Sequence, residues 1–544
     1  MANLSQLRRQ RMLAFLEKMR EQHKDDDEVL SAINEVENEI NEKKYGLVWE
    51  EHSEEVEERM VDEVPIFVED KDKEITMTGN GYNFLLEGDN LHSLHLLEKT
   101  HKEKIDVIYI DPPYNTGDND FFYDDNYVGK EDGFRHSKWL SFMAKRLKIA
   151  RNLLSSDGVI FISIDDNELA ALKPLCDSLF GEDYTDVMIW RKSGVGRDGK
   201  MKNTTTFRKD HEYIIVCFKD NKFLNKIKEK PNFQNKYPNP DNDPRGCYKA
   251  GSISNKESAS NPNSDKYYTV VAPGGRSITR QFNVTKEEFE ALNADGRIYW
   301  GKDNNSVPSV KIFVDEERQI TPYSLLLDKG TTTDGTKELN DILNGDYSRM
   351  RPKPTYLIRT LLQLGSKPNS IVLDFFAGSG TTGQAVLQLN RSDNGTRHFI
   401  LCTNNQNQIC TEITYPRVKT VLTGSRPDGS SFSSKYPSDL KYYRTDFIPK
   451  KNDNLANDLI AHIDEMIQLE YGVKIDKEKY ISILSDEGAD ELEKNWANYP
   501  NIKAIYISRS VLLTGKQREL FETHDCFTIP DYYFREELRE AGEA

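Results

Sequence analysis

Ile105-Asp106-Val107-Ile108-Tyr109-Ile110-Asp111-Pro112-Pro113-Tyr114 is the stretch on which the rest of the chain is read. Its first six residues are mostly β-branched or aromatic and form a strand too apolar to have a wet face. An acid and two prolines end it, and the prolines stiffen the turn that follows. Open α/β sheets bind ligands just beyond the carboxyl ends of their strands, so Asp111 to Tyr114 stand where chemistry is expected. Working outward, Asn83-Phe84-Leu85-Leu86-Glu87 is a second short strand. It leads into Gly88-Asp89-Asn90 and a helix marked by Leu91, Leu94 and Leu97. Downstream, the spacing predicts a long helix from about Ser137 to Leu154, a strand over Gly158–Ile164 and a further helix capped by Asp165 to Glu168. Strand alternating with helix predicts a parallel sheet covered on both faces.

The residue types at Asp111 fit one kind of chemistry. The lone pair of an aromatic amine is delocalised into its ring, which makes the nitrogen a poor nucleophile. A carboxylate accepting one N–H and a backbone carbonyl accepting the other draw that nitrogen towards tetrahedral geometry and free the lone pair. Asp111 can supply the carboxylate and Pro112 the carbonyl, with Pro113 fixing the direction of the turn. Tyr114 can stack on a base taken out of a duplex. An ordinary Asp-Pro turn after a strand is the bland alternative.

A second motif begins where the strand–helix rhythm resumes. Ile371-Val372-Leu373-Asp374 is a strand, Thr381–Leu389 a helix and His398–Cys402 another strand. Between the first strand and the helix lies Asp374-Phe375-Phe376-Ala377-Gly378-Ser379-Gly380-Thr381-Thr382. Glycines let a ligand approach the backbone, and the helix N-terminus offers free N–H groups and a positive dipole end, which suits an amino-acid carboxylate such as the methionine end of S-adenosylmethionine. A nucleoside-triphosphate loop is excluded because no lysine follows the second glycine at the required place. Gly378, Gly380 and Gly383 also satisfy a dinucleotide fingerprint. The flanking Asp-Phe-Phe-Ala and Thr-Thr, and the first motif, argue against that.

At 544 residues the chain is long enough for two to four domains. It has no run long and apolar enough to cross a membrane and no signal peptide, and six cysteines without a CxxC pair fit a reducing, cytoplasmic setting. The net charge of −17 is unevenly spread. Residues 21–74 hold 21 acids and 6 bases, a net of −15, and are expected on the outer surface. Residues 187–236 hold 13 bases and 5 acids, a net of +8, with Trp190, Phe207, Tyr213 and Phe218 among them. That mixture suits phosphate and base-edge contact, and Arg191, Lys192, Arg208 and Lys209 are the candidate DNA-binding residues. Val29, Ile33, Val36 and Ile40 make an apolar stripe in a helical N-terminal stretch, 46–78 reads as irregular, and Thr423–Ser434 reads as a loop.

Together the two motifs resemble the amino-methyltransferases of DNA, in the subgroup where the DPPY element precedes a target-recognition insert and the FxGxG element comes last. Within that subgroup the chain looks like the modification (Mod) subunit of a type III restriction–modification system. The likeness rests on Asn115-Thr116-Gly117, Phe121-Phe122-Tyr123, His136-Ser137-x-Trp139-Leu140, Gly158–Asp166, Arg351-Pro352-Lys353-Pro354 and Thr414-Tyr415-Pro416-Arg417. It covers about residues 80–185 and 350–445. It implies an α/β, circularly permuted, Rossmann-like class I methyltransferase domain over 79–186 and 346–445. Around this domain it implies a target-recognition insert at 187–345, a helical, acidic N-terminal region at 1–78 and a small C-terminal domain at 446–544.

The resemblance implies S-adenosylmethionine as cofactor, no metal, and N6 of adenine in double-stranded DNA as methyl acceptor, with N4 of cytosine as the alternative. It implies a homodimer and a restriction (Res) helicase/nuclease partner, the alternative being an orphan adenine methyltransferase. The catalytic group is then Asp111, Pro112, Pro113 and Tyr114, with Phe122 and Tyr123 clamping a flipped base. The cofactor group is Asp89, Lys353, Asp374, Phe376, Ala377, Gly378, Gly380, Thr381, Thr382 and Asn404. One departure stands out: many methyltransferases carry an acid after the second strand of the cofactor half, to hold the ribose, and this chain has Asn404 and Asn405.

Overall fold

A computed structural model describes residues 4–24, 27–41, 54–116, 135–194, 207–229, 238–314, 318–452 and 454–529, besides 52, 316, 533–535 and 539. The chain divides into two compact units, Met1–Leu224 with Tyr323–Ala544, and Asn225–Pro322.

The larger unit is built on a ten-stranded sheet. In chain order its strands are Glu63–Glu69 (β1), Tyr82–Glu87 (β2), Ile105–Ile110 (β3), Leu154–Ile164 (β4), Thr185–Arg191 (β5), His211–Phe218 (β6), Leu325–Leu326 (β7), Ile371–Asp374 (β8), His398–Thr403 (β9) and Asp439–Pro449 (β10). In space they follow the order β1-β10-β2-β9-β8-β3-β4-β6-β5-β7. Strands β10, β2, β9, β8, β3 and β4 run parallel. Strand β6 is reversed against both β4 and β5. The seven strands from β2 to β5 are thus the class I methyltransferase type of sheet expected from the sequence. The late strands β8 and β9 slot between the early strands β2 and β3, with Val372 opposite Val107 and Leu373 opposite Ile108.

Side chains alternate across this sheet because the strand period is two. Ile108, Ile110, Ile160, Ile162 and Leu373 are buried in one core cluster with Leu94, Trp139, Leu147 and Leu175. The last four come from three helices, Asn90–His101 (α1), Arg135–Leu153 (α2) and Leu169–Phe180 (α3). The other face carries helix Thr355–Gly365 (α4). Gly365 lets that helix approach closely, since a Cβ there would lie 2.6 Å from Val159, 3.1 Å from Phe161 and 3.2 Å from Val107. Helix Thr381–Asp393 (α5) follows β8.

Several segments are placed differently from the sequence reading. Strands β6 and β7 and most of β5 fall within the stretch 187–345 yet belong to the main sheet, and the separate unit spans only Asn225–Pro322. Residues 46–78, read as irregular, include β1, which pairs antiparallel with β10 along its whole length. Pro65 is tolerated there because β1 lies at the sheet edge. Strand β10 was hidden by its charges. Lys441 is fully buried, its ammonium held by Glu69 and Glu74, so an apolar alternation does not show. Residues 480–529 form a parallel three-stranded sheet, Tyr480–Ile483, Ala504–Ser508 and Asp525–Ile529, within the larger unit.

The smaller unit has a three-stranded antiparallel sheet (Ile298–Tyr299, Ser309–Phe313, Tyr248–Ser252), a hairpin (Tyr267–Val271, Ser277–Gln281) and one helix, Lys286–Ala294. Phe282 stacks on Tyr268 with ring centroids 4.4 Å apart, in a small core with Phe289 and Trp300. No helix among the described residues is long and apolar enough to cross a membrane.

Asp439, at the start of β10, is fully buried and ties the sheet to the turn that leads into β2. Its carboxylate accepts from the backbone N–H of Met77, of Thr78 at 2.7 Å and of Gly79 at 2.6 Å, and from the Thr78 hydroxyl at 3.0 Å. Removing it takes away the shared charged acceptor of three backbone N–H groups and a hydroxyl in that turn. Asp439→Ala should therefore lower the unfolding free energy by about 2–3 kcal/mol, read from the urea midpoint at constant slope.

Candidate active site

The two sequence motifs lie side by side because their strands are neighbours. Asp111 follows β3 and Asp374 ends β8, and these parallel strands are hydrogen-bonded to each other. Pro112 is buried and the Asp111 side chain keeps 30% of its surface exposed. The Pro113 carbonyl accepts the indole N–H of Trp139 at 2.8 Å, which fixes the turn from behind. Tyr114 donates its hydroxyl to Asp111 Oδ1 at 2.8 Å and also lies 3.2 Å from Glu212 Oε2.

A lysine completes this group. Lys353, just ahead of α4, places Nζ 2.8 and 2.9 Å from the two oxygens of Asp111, 2.8 Å from the Tyr114 hydroxyl and 3.3 Å from Glu212 Oε2. Lys192 reaches the other oxygen of Glu212 at 3.2 Å. Burial pulls the Lys353 ammonium towards neutrality, but Asp111 and Glu212 more than reverse this and hold its pKa above the usual value. Burial likewise opposes ionisation of Glu212, and Lys353 and Lys192 overcome it and keep that carboxyl below its ordinary value. The Tyr114 hydroxyl is pushed far up by burial and by Asp111 and Glu212, so it acts as a donor.

The glycine loop leads from β8 into α5. Asp374 is buried and accepts from the Phe376 N–H at 3.0 Å and from the Thr382 hydroxyl. Gly378 and Gly380 take φ of +49° and +78°, which favours glycine at both positions. A Cβ on Gly380 would press to 3.3 Å on both Thr414 and Val418. Arg417 braces the loop from within the core. It donates to the Ser379 hydroxyl at 2.9 Å, the Thr381 hydroxyl at 2.7 Å and the Gln384 side chain at 3.0 Å.

Two more strand ends line the same edge of the sheet. Asp89, after β2, caps α1 by accepting the Leu91 N–H at 2.7 Å, and its side chain stays 34% exposed. The fully buried Arg146 lies 3.5 Å from it and is held bidentate by Glu54 at 2.9 Å on both sides. After β9, Asn404 is exposed, and the Asn405 carbonyl oxygen accepts from the backbone and hydroxyl of Thr411 at 3.2 Å. A cavity of about 510 Å³ lies at the opposite edge, lined by the first residues of β2, β8 and β9, and takes no part in this site.

Residues 105–415, more than half of the chain, match the family model described as DNA methylase. The chain belongs to the DNA methylase family. It is 34% identical over 353 residues to the type III restriction–modification enzyme StyLTI Mod subunit of Salmonella typhimurium, covering 60% of this chain and 53% of that protein. It is 28% identical over 441 residues to the EcoP15I Mod subunit of Escherichia coli, covering 69% and 66%. It is 31% identical over 386 residues to the type II methyltransferase M.KpnI of Klebsiella pneumoniae, covering 66% and 90%. The methylase thus spans between half and two thirds of the length of these Mod relatives.

The remaining expected site residues of the methylase fall in three groups. Phe122 and Tyr123 lie outside the described residues. Arg191, Arg208 and Lys209 are surface cations, paired with Asp328 at 3.0 Å, Asp210 at 2.8 Å and Asp166 at 3.2 Å. Lys192, grouped with them by sequence, instead turns its ammonium onto Glu212. Glu212 and Arg146 are not singled out by sequence, and Arg417 stands there only within the stretch Thr414–Arg417, with no role of its own. A lone acid opening the apolar run Tyr213–Phe218 is the one local signal that Glu212 offers. Asp165 caps its own turn, accepting the Asn167 N–H at 2.8 Å.

Burial pushes the Asp374 carboxyl up to about 7, with Thr382 and the Phe376 amide pulling the other way and Asp111 adding to the rise. The folded state therefore binds this proton more tightly than the unfolded chain, where a carboxyl titrates near 4. The stability it contributes is fully present below about pH 4 and is lost as pH rises through about 7. Asp374→Asn removes that titration. Relative to wild type, the variant should gain stability between pH 5 and pH 8, measured by urea unfolding at both values.

Proposed function

We propose that this methylase transfers the methyl group of S-adenosylmethionine to N6 of adenine in double-stranded DNA, as the modification subunit of a type III restriction–modification system. The observation that carries the reading is the placement of Asp111 and the Asp374–Thr382 loop on adjacent strand ends. One supplies acceptors for an exocyclic amine, and the other a glycine-lined backbone at a helix N-terminus. The Mod relatives support the type III assignment, and an aspartate at position 111 supports adenine by resemblance to the family.

The residues present fit the cofactor. The loop Phe376–Gly380 excludes side chains at its glycines. Asp89 and Asn404 offer a part-exposed carboxylate and an exposed carboxamide on the flanking strand ends, with Asn404 in place of an acid for the ribose. When bound, S-adenosylmethionine supplies a methyl group activated by its sulfonium. Asp111 accepts one N–H of the adenine amine and the Pro112 carbonyl the other, which localises the lone pair for attack. Tyr114 offers a ring to the extruded base. Arg191, Arg208 and Lys209 lie at the surface for phosphates. A homodimer and a Res partner complete the reading. A second reading, a methyltransferase acting without a restriction subunit, draws on M.KpnI, of which 90% is covered and which is named as a type II methyltransferase and not as a subunit.

Asp111→Ala should lower kcat about a thousandfold while calorimetry finds cofactor affinity near wild type, since the lost acceptor acts on the transition state. Gly380→Val should do the reverse and abolish cofactor binding. Single-molecule sequencing of DNA methylated by the purified protein is expected to report N6-methyladenine in one sequence context. N4-methylcytosine, or no modified base, would refute the assignment.

A further inference from the structure

Asp111 is not a free carboxylate. Both of its oxygens accept from the Lys353 ammonium, at 2.8 and 2.9 Å, and one also accepts from Tyr114. An ionised carboxylate has about four acceptor sites, and Lys353 and Tyr114 take three of them on Asp111, so an entering amine competes with the ammonium for this carboxylate. An ammonium donor bonds a carboxylate more strongly than a neutral base N–H does, so Asp111 is loosened from Lys353 most readily where another anion takes up the ammonium's charge. Glu212 is that anion. Its Oε2 stands 3.3 Å from Lys353 Nζ, its side chain is only 11% exposed, and Lys192 neutralises its far oxygen at 3.2 Å. Two acids and two lysines thus make a charge-balanced cluster in which Lys353 has two anions within reach.

We propose that Glu212 is a positioning residue for methyl transfer: it shares the Lys353 ammonium with Asp111 and so allows Asp111 to be released to the incoming amine. The inference rests on the reading of the site as an amine methyltransferase. In it Lys353 is the placeholder for the substrate N–H, and Glu212 is where its charge goes when the base enters. Without the Glu212 charge, Lys353 and Lys192 face Asp111 alone, and the carboxylate is held shut.

The test is a double-mutant cycle on the full chain, with methyl transfer to DNA and calorimetric cofactor binding measured for each protein. Glu212→Gln should lower kcat about tenfold or more, with cofactor affinity within about threefold of wild type. In the Lys353→Met background, where no ammonium holds Asp111, adding Glu212→Gln should change kcat by less than about twofold. A merely structural Glu212 would give the same loss in both backgrounds, and that result overturns the proposal. So does near-normal turnover of Glu212→Gln with Lys353 present. If Glu212→Gln does not fold, Glu212→Asp, which keeps the charge, should retain at least about a fifth of wild-type kcat, and a loss as deep as that of Asp111→Ala overturns the proposal. A wild-type protein that methylates no DNA would instead sink the parent reading. An active wild type with an additive cycle sinks only the role given to Glu212.

Discussion

The buried contact between Lys353 and Asp111 is the constraint around which the site is arranged. Removing a carboxylate or an ammonium from water costs several kcal/mol per ion, and geometry must recover it. Here the recovery needs three segments distant in sequence: the turn after β3, the start of β6 and the segment ahead of α4. None of them can bury its charge alone. Burial disfavours the charged form of both Lys353 and Glu212, and in each case the oppositely charged neighbours outweigh it. Each charge is admissible only because the others are already in place. The same cluster therefore holds the site together and presets its protonation, with Lys353 charged, Glu212 ionised and Tyr114 a neutral donor.

The glycine loop solves a related problem by different means. Asp374 is buried as well, but no cation among the described residues offsets its burial, and its pKa rises to about 7 instead. Two acids on adjacent strand ends of the same sheet thus take opposite routes. Asp111 is paired with a cation and part-exposed, whereas Asp374 is enclosed and bonded to the loop it organises. This division suits their places. An acceptor for an amine has to be reachable, while a brace for a cofactor loop has to be fixed. Arg417 and Trp139 do for their loops what Asp374 does for its own, gripping backbone and hydroxyl groups from the core side.

Much of this was legible in sequence. The runs Ile105–Ile110, Gly158–Ile164, Ile371–Asp374 and His398–Cys402 announce strands, and the residues at their ends announce chemistry. What was not legible has a common cause. Lys441 in β10, Glu212 in β6 and Arg146 in α2 are charged residues in buried positions, and pattern reading takes charge as a mark of solvent. Strand β10 was missed for that reason. So was the membership of β6 in the main sheet, since its reversed direction breaks the strand–helix alternation that identified its neighbours. The part of the reading that came through family resemblance found Lys353 but grouped it with the cofactor, because a motif fixes position in the chain and not the partner across the sheet.

Buried pairing also changes how the net charge of −17 should be weighed against the proposed DNA substrate. The acidic stretch 21–74 looks in sequence like a repulsive outer surface. Several of its acids face inward instead. Glu54 holds Arg146 and lies 3.7 Å from Lys145, Glu57 also reaches Lys145, Glu69 holds Lys441, and Glu74 reaches Lys441 and Lys474. Acids that neutralise core cations contribute little field to the surface, so the formal sum overstates the repulsion that DNA would meet. The basic stretch is thinned by the same logic, since Lys192 is spent on Glu212. Among the described residues, what DNA would meet includes a more local pattern, Arg191, Arg208 and Lys209 each beside an aspartate. Phosphate contact there means exchanging one anion for another, so each such contact releases fewer counterions and depends less on ionic strength than a contact made by an unpaired cation.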